Sequence, residues 1–133
     1  LQSKRDGRDA TLRQHRGPLE LTISADQFGI KQVFRNILEN SLAACDDPVK
    51  IDVDMLETQL FDRPGLKIVF RDNGPGLTPE ARERIFEEFY TTKTHGTGLG
   101  MAICKRIVEA HDGLMATGPG PGAEIRITLP YDP

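Results

Sequence analysis

Two cysteines, Cys45 and Cys104, are the only thiols in the 133-residue chain, and they stand far apart. No Cys-x-x-Cys pair exists, which argues against structural zinc and thioredoxin-like exchange. Both fall in helical patterns, where a buried free thiol is the expected state. A reducing, cytoplasmic setting fits. No apolar run approaches the roughly 20 residues that span a bilayer, and no signal peptide is visible. Neither sign of charge dominates: 17 basic groups meet 20 acidic ones, for a net charge of −3. Bulk electrostatics of that size leaves no footprint for nucleic acid. Internal repeats and low-complexity tracts are absent. The chain opens on Leu1 rather than Met, as a piece of a larger protein would, and a membrane-anchored parent is compatible with that.

What is present is ordinary for a soluble globular domain, with 38% apolar and 28% charged residues. One domain over residues 1–133 is the natural expectation, long enough to bury a real core. Residues 1–9 are polar and suit a linker. Residues 11–16 and 19–24 suit two short strands around Gly17-Pro18. Ser24-Ala-Asp-Gln27 has capping-box form, and a helix should run from it to about Cys45. Its apolar stripe is Ile30, Phe34, Ile37 and Ser41, flanked by Val33 and Leu38.

Residues 49–55 alternate apolar with charged, as a half-buried strand does. Asp62-Arg-Pro-Gly65 is a turn, and residues 66–71 return as the second strand of a hairpin. Thr78-Pro79-Glu80 starts a helix with a cap, an N1 proline and an acid in the first turn; it should end near Phe89. A loop over residues 91–98 precedes a helix over residues 99–111, stopped by Gly113. Residues 114–117 and 123–129 form a final hairpin. This order predicts an α+β fold: a two-layer α/β sandwich, with a mixed, mostly antiparallel sheet carrying about three helices on one face.

Several short segments could carry chemistry. Asn36 and Asn40 share a helix face, with the small Ala43 beside them. Two amides there could hold magnesium and phosphate oxygens, or could simply be surface residues. Asp72-Asn-Gly-Pro-Gly76 follows a strand; its carboxylate could accept from an amino group such as adenine N6, while the same composition suits a plain turn. Gly96-Thr-Gly-Leu-Gly100 opens a helix and so offers N–H groups to an anion, though a flexible hinge would look alike. It lacks the Gly-Lys-Ser/Thr ending of the Walker loop. Phe86 and Phe89, at helical spacing, could anchor a mobile loop or simply pack.

Taken in order, these segments resemble the GHKL superfamily of ATP-binding domains. Residues 35–43 look like its N box, 72–76 its first glycine box, 85–90 its F box, 96–100 its second glycine box, and 122–130 its last strand. Within the superfamily, Phe-Tyr-Thr-Thr-Lys over 89–93 and Ile-Val-Glu-Ala-His-Asp-Gly over 107–113 are most similar to sensor histidine kinases of the nitrogen-regulation type. The resemblance implies a Bergerat-type fold and phosphoryl transfer from ATP, with magnesium, to a histidine on a separate dimerisation and phosphoacceptor domain. A response regulator receiver domain would act downstream. It implies no nucleic-acid partner and no membrane contact by this domain.

The resemblance also assigns roles. Asn40 would ligate magnesium, assisted by Asn36. Asp72 would fix adenine, with Gly74 and Gly76 shaping that wall. Leu77 and Tyr90 would line the pocket, and Thr91, Thr92 and Lys93 would sit in a lid over it. Gly96, Thr97, Gly98, Leu99 and Gly100 would meet phosphates through their amides, with Met101 in the next turn. Many relatives carry Arg where Thr91 stands, so Lys93 is the candidate for that charge. His95 occupies a lid position often held by a small residue. ATPases of the superfamily carry a glutamate at the Asn36 position to activate water, which an amide cannot do; anti-sigma-type serine kinases share the fold but not the Thr-Thr-Lys string. His15 and His111 do not sit in the helical context expected of an acceptor.

Overall fold

The computed structural model describes residues 2–3, 10–14, 27–90 and 99–130. The expected strand over residues 19–24, the capping box before Gln27 and the loop over residues 91–98 lie outside them. Six strands form one sheet in the order β1-β2-β3-β4-β6-β5. They are β1 (Gln2–Ser3), β2 (Ala10–Gln14), β3 (Val49–Leu60), β4 (Arg63–Asp72), β5 (Leu114–Thr117) and β6 (Glu124–Pro130). Among the described strands only β2 and β3 run parallel. A parallel pair needs a long crossover, and helix α1 (Gln27–Ala44) lies within it. Helices α2 (Pro79–Arg84) and α3 (Gly100–Ala110) complete the second layer. The expected α+β sandwich is what forms. Gln2 and Ser3, expected in a linker, instead pair antiparallel with Thr11 and Ala10.

Strand alternation builds the core. Val49, Ile51 and Val53 of β3, Leu66, Ile68 and Phe70 of β4, and Ile125, Ile127 and Leu129 of β6 are buried on the face that meets the helices. Val33 and Ile37 of α1 and Cys104 and Val108 of α3 fill the space above them. Phe34 stands edge-on to Phe70 at 5.4 Å between centroids. The two helices pack closely enough for the Cys104 thiol to donate to the Val33 carbonyl at 3.7 Å. No helix among the described residues is long and apolar enough to cross a membrane.

Two local expectations are corrected. The β3–β4 turn is not Asp62-Arg-Pro-Gly65 but the two residues Phe61 and Asp62, both with positive φ of 50° and 65°. Positive φ at both central residues is what a tight hairpin matched to strand twist requires. Strand pairing then continues through Gln59 with Pro64 and Thr58 with Gly65. Proline is tolerated here because the pair next to a tight turn is hydrogen-bonded and the following one is not. Pro64 therefore owes β3 no N–H, and β6 joins only from Gly65 onward.

The second correction shortens α2, which stops at Arg84 rather than near Phe89. Thr78 caps it as expected, its hydroxyl accepting from the Ala81 N–H at 3.1 Å. Arg84 then bonds both Glu80, at 2.9 Å, and Glu87, at 3.0 Å. From there α3 takes over the chain: Arg106 holds Glu88 at 2.6 Å and Lys105 lies 5.4 Å over the Phe86 ring. Residues 85–90 leave the helical path in turns closed by Glu87 N–H to the Arg84 carbonyl and Tyr90 N–H to the Glu87 carbonyl.

Burial pushes the Cys104 thiol up to about 11, outweighing the hydrogen bond from Asn36 that pulls it down. At pH 8 its thiolate is scarce and shielded, so alkylation with iodoacetamide should spare Cys104 in the folded chain and label it fully in denaturant. Mass spectrometry of the labelled peptide measures both; rapid native labelling of Cys104 would contradict this packing.

Candidate functional site

Asp72 ends β4, a strand flanked on both sides by β3 and β6. It is buried, with 9% of its surface exposed. Three donors hold its carboxylate. Oδ2 accepts from the Ser41 hydroxyl at 2.8 Å. Oδ1 accepts from the backbone N–H of Gly74 at 3.0 Å and of Ala123 at 2.9 Å. The Asp72 N–H in turn donates to the Ala123 carbonyl at 3.1 Å. Charged acceptors make the stronger hydrogen bonds, so α1, the turn after β4 and the start of β6 are drawn to one point.

The glycines around this point serve close approach of protein to protein. A Cβ at Gly122 would fall on the Asp72 carbonyl oxygen. Gly76, at φ +84°, faces the Pro121 carbonyl, where a Cβ would come to 2.7 Å. The turn after β4 and the loop before β6 are therefore interlocked. Asn73 fixes the other side: its side chain accepts from the Lys50 N–H at 2.9 Å and donates to the Pro48 carbonyl at 3.0 Å.

Immediately before Ser41 on α1, Asn40 is half-buried, and Asn36 sits about one turn further back. Asn36 Nδ2 donates to the Gly100 carbonyl at 3.3 Å. This leaves its Oδ1 as the acceptor and joins α1 to the first residue of α3. Leu99, which precedes α3, supplies no side-chain cap to that helix start. Ala43 and Gly100 are exposed, Leu77, Tyr90 and Leu99 are half-buried, and Met101 is turned into the core. Tyr90 lies under the Arg84 guanidinium, 4.8 Å from its ring centre. Thr91, Thr92, Lys93, His95, Gly96, Thr97 and Gly98 lie outside the described residues.

Of the two aromatics, Phe86 packs against the core while Phe89 stands 70% exposed at φ +67°. Phe89 does not anchor the segment. Among the described residues no cluster of His, Cys, Asp or Glu could hold a metal ion.

Sequence reasoning singled out Asp72, Asn36 and the glycines, and missed the Ser41 hydroxyl and the backbone N–H groups of Gly74 and Ala123 as the partners of Asp72. Ser41 did carry a signal: a hydroxyl inside an apolar stripe needs a buried partner. The two backbone contributions carry none. Ser41→Ala should destabilise the chain by about 1–3 kcal/mol, because Oδ2 of a buried carboxylate loses its donor. Urea unfolding measures it. A loss below a few tenths of a kcal/mol would mean that water replaces the hydroxyl freely.

Residues 25–133 match the family described as histidine kinase-, DNA gyrase B- and HSP90-like ATPase. The signal transduction histidine-protein kinase AtoS of Escherichia coli (strain K12) is 39% identical over 113 residues, covering 84% of this chain and 18% of AtoS. The chain thus spans under a fifth of that relative's length. The solved structure of the mycobacterial sensor histidine kinase MprB superposes with a TM-score of 0.81 at 26% identity, covering 93% of this chain and 85% of that one. The catalytic domain of histidine kinase ThkA gives 0.78 at 30% identity, covering 91% and 78%. A buried aspartate at a strand end, bonded to an asparagine-bearing helix that also meets the first residue of α3, is thus found in a chain that belongs to the histidine kinase-, DNA gyrase B- and HSP90-like ATPase family, with sensor histidine kinases as its relatives in sequence and fold.

Proposed function

We propose that this chain binds Mg-ATP and passes the γ-phosphoryl group to a histidine on a separate dimerisation and phosphoacceptor helix domain, the opening step of two-component signalling. A response regulator receiver domain would take the phosphoryl group next. The observation that carries the proposal is the double attachment of α1: Ser41 grips Asp72 while Asn36 grips the start of α3. One rigid helix thereby sets the spacing between an amine-accepting carboxylate and a helix N-terminus suited to phosphate. The nitrogen-regulation subtype rests on the strings over residues 89–93 and 107–113 alone.

In this reading Asp72 accepts from the adenine amino group, and Gly74, Gly76 and Leu77 shape the wall beside it. Tyr90 closes the pocket edge, with Ala43 leaving room on α1. The lid residues Thr91, Thr92 and Lys93 lead into Gly96, Thr97 and Gly98, whose amides, with those of Leu99, Gly100 and Met101, meet the phosphates. The oxygen donors of Asn40 and Asn36 suit magnesium, which when bound neutralises phosphate charge. Lys93 meets charge that develops on the transferring group. The bond from the γ-phosphorus to its bridging oxygen breaks, a phosphorus–nitrogen bond forms on the acceptor histidine, and ADP leaves. Such transfer needs positioning and charge stabilisation more than covalent help.

Hydrolysis is the disfavoured outcome. Asn36 cannot serve as a general base. Glu39, the nearby carboxylate, lies about 60° further round the helix and pairs with Arg35 at 3.7 Å.

The test is transfer in trans. Mixed with ATP and magnesium alone, the chain should incorporate no acid-labile phosphate. Mixed with its parent's acceptor-helix dimer, it should label a histidine there. Lys93→Ala should slow that labelling more than it weakens ATP binding. Brisk ATP hydrolysis by the chain alone would favour the ATPase branch, and phosphoserine on an added protein would favour a serine kinase.

A further inference from the structure

Glu124 is the most buried charged side chain among the described residues, 3% exposed, and none of the roles above uses it. It opens β6 on the sheet face opposite the helices. Arg71 holds its Oε1 at 3.0 Å and Arg126 holds its Oε2 at 2.6 Å. Arg71 also reaches Asp54 on β3, at 2.7 Å. Both oxygens are thus committed, and the two arginines hold the Glu124 carboxyl below its ordinary range against the opposing effect of burial. Glu124 is the buried member of this network, and a buried carboxylate that loses a partner is left uncompensated, which keeps it held firmly between the two arginines.

Its location gives that firmness a consequence. Arg71 and Glu124 form the last register pair between β4 and β6. The next residue of β4 is Asp72 and the preceding residue of β6 is Ala123, which exchange the backbone bond and the Oδ1 contact described above. The loop over residues 118–122 lies directly against the Glu124 carboxylate. A Cβ on Gly118 would fall on Oε2, and one on Gly120 would come to 2.9 Å from Oε1. The far end of the same loop, Pro121 and Gly122, abuts Gly76 and Asp72. Glu124 therefore supports from behind the loop that delivers the Ala123 N–H to Asp72.

We propose that Glu124, clamped by Arg71 and Arg126, is a positioning residue for base recognition: it fixes the Ala123 N–H on Asp72 Oδ1 and so aims the carboxylate at the purine 6-amino group. The inference rests on the adenine role proposed for Asp72. Glu124 touches no ligand itself. Its effect passes through one backbone amide, so it acts on the part of the affinity that depends on the amino group.

The test compares ATP with purine riboside triphosphate, which lacks that amino group, by calorimetry with magnesium on the whole chain. The unsubstituted chain should prefer ATP by about tenfold or more, the worth of one hydrogen bond to a charged acceptor. Glu124→Gln should remove most of that preference, by weakening ATP while leaving the amine-free ligand within about twofold. Equal weakening of both ligands, or a preference kept intact, would overturn the positioning role and leave Glu124 a support of the fold only.

Asp72→Asn, measured beside it, separates the layers. Preference lost there but kept in Glu124→Gln overturns the Glu124 role alone. Preference kept in Asp72→Asn overturns the adenine reading and this inference together. Should Glu124→Gln fail to fold, Arg126→Lys decides, because Arg126 is partly exposed and the charge is retained. It should show a smaller loss of preference in the same direction, and an unchanged preference there would overturn the proposal.

Discussion

A negative charge buried at the end of a central strand is the constraint around which the rest of the domain is arranged. An isolated carboxylate in such a place would take up a proton or unfold its surroundings. Asp72 is not isolated: three donors from three separate stretches of sequence converge on it. Each donor commits its own element. Ser41 fixes the rotation and height of α1 over the sheet, Gly74 fixes the turn after β4, and Ala123 fixes the entry to β6. The same α1 then meets the first residue of α3 through Asn36. A site assembled from strand ends and a long helix keeps its geometry better than one assembled from loops.

The sheet serves this arrangement differently on its two faces. The helix side is apolar and sets distances by packing, with Val33, Ile37, Cys104 and Val108 pressed on β3, β4 and β6. The opposite side ties the same strands together by charge, through Asp54, Arg71, Glu124 and Arg126. Val69 is buried on that second face, flanked in register by Asp54 and Arg126. Aliphatic stems of paired arginines can cover apolar surface while their heads stay bonded. β4 is therefore held on both faces and on both edges, and Asp72 at its end inherits that rigidity.

How much of this could be foreseen depended on whether the information was local. The strand period over residues 49–55, the Thr78-Pro79-Glu80 helix start and the glycine stop at Gly113 are local patterns, and the elements formed where they pointed. The α1 stripe was correct within a small rotation, which put Val33 rather than Ile30 at its centre. The errors arose where distant residues decide. Asp-Arg-Pro-Gly has turn composition, yet two-residue closure at Phe61 and Asp62 let more of both strands pair. The run after Arg84 has helical spacing, yet it leaves the helix and meets Lys105 and Arg106 of α3. At the site, Asp72 and Asn36 were visible from spacing and family likeness, and Ser41 was half visible as a hydroxyl among apolar neighbours. The contribution of Ala123 was not visible, since a backbone amide has no letter of its own.

In the proposed function, the asparagine at position 36 would favour holding a nucleotide over consuming it. A carboxylate there could take a proton from water; an amide cannot, and its Nδ2 is already occupied by the Gly100 carbonyl. The one acid nearby on α1 is turned away and paired with Arg35. No group on α1 is thus arranged to activate water. Under the proposed function, a bound nucleotide would then persist until a nucleophile arrives from outside the domain. Under the function proposed above, this domain would hold the phosphoryl donor and a separate partner would bring the acceptor.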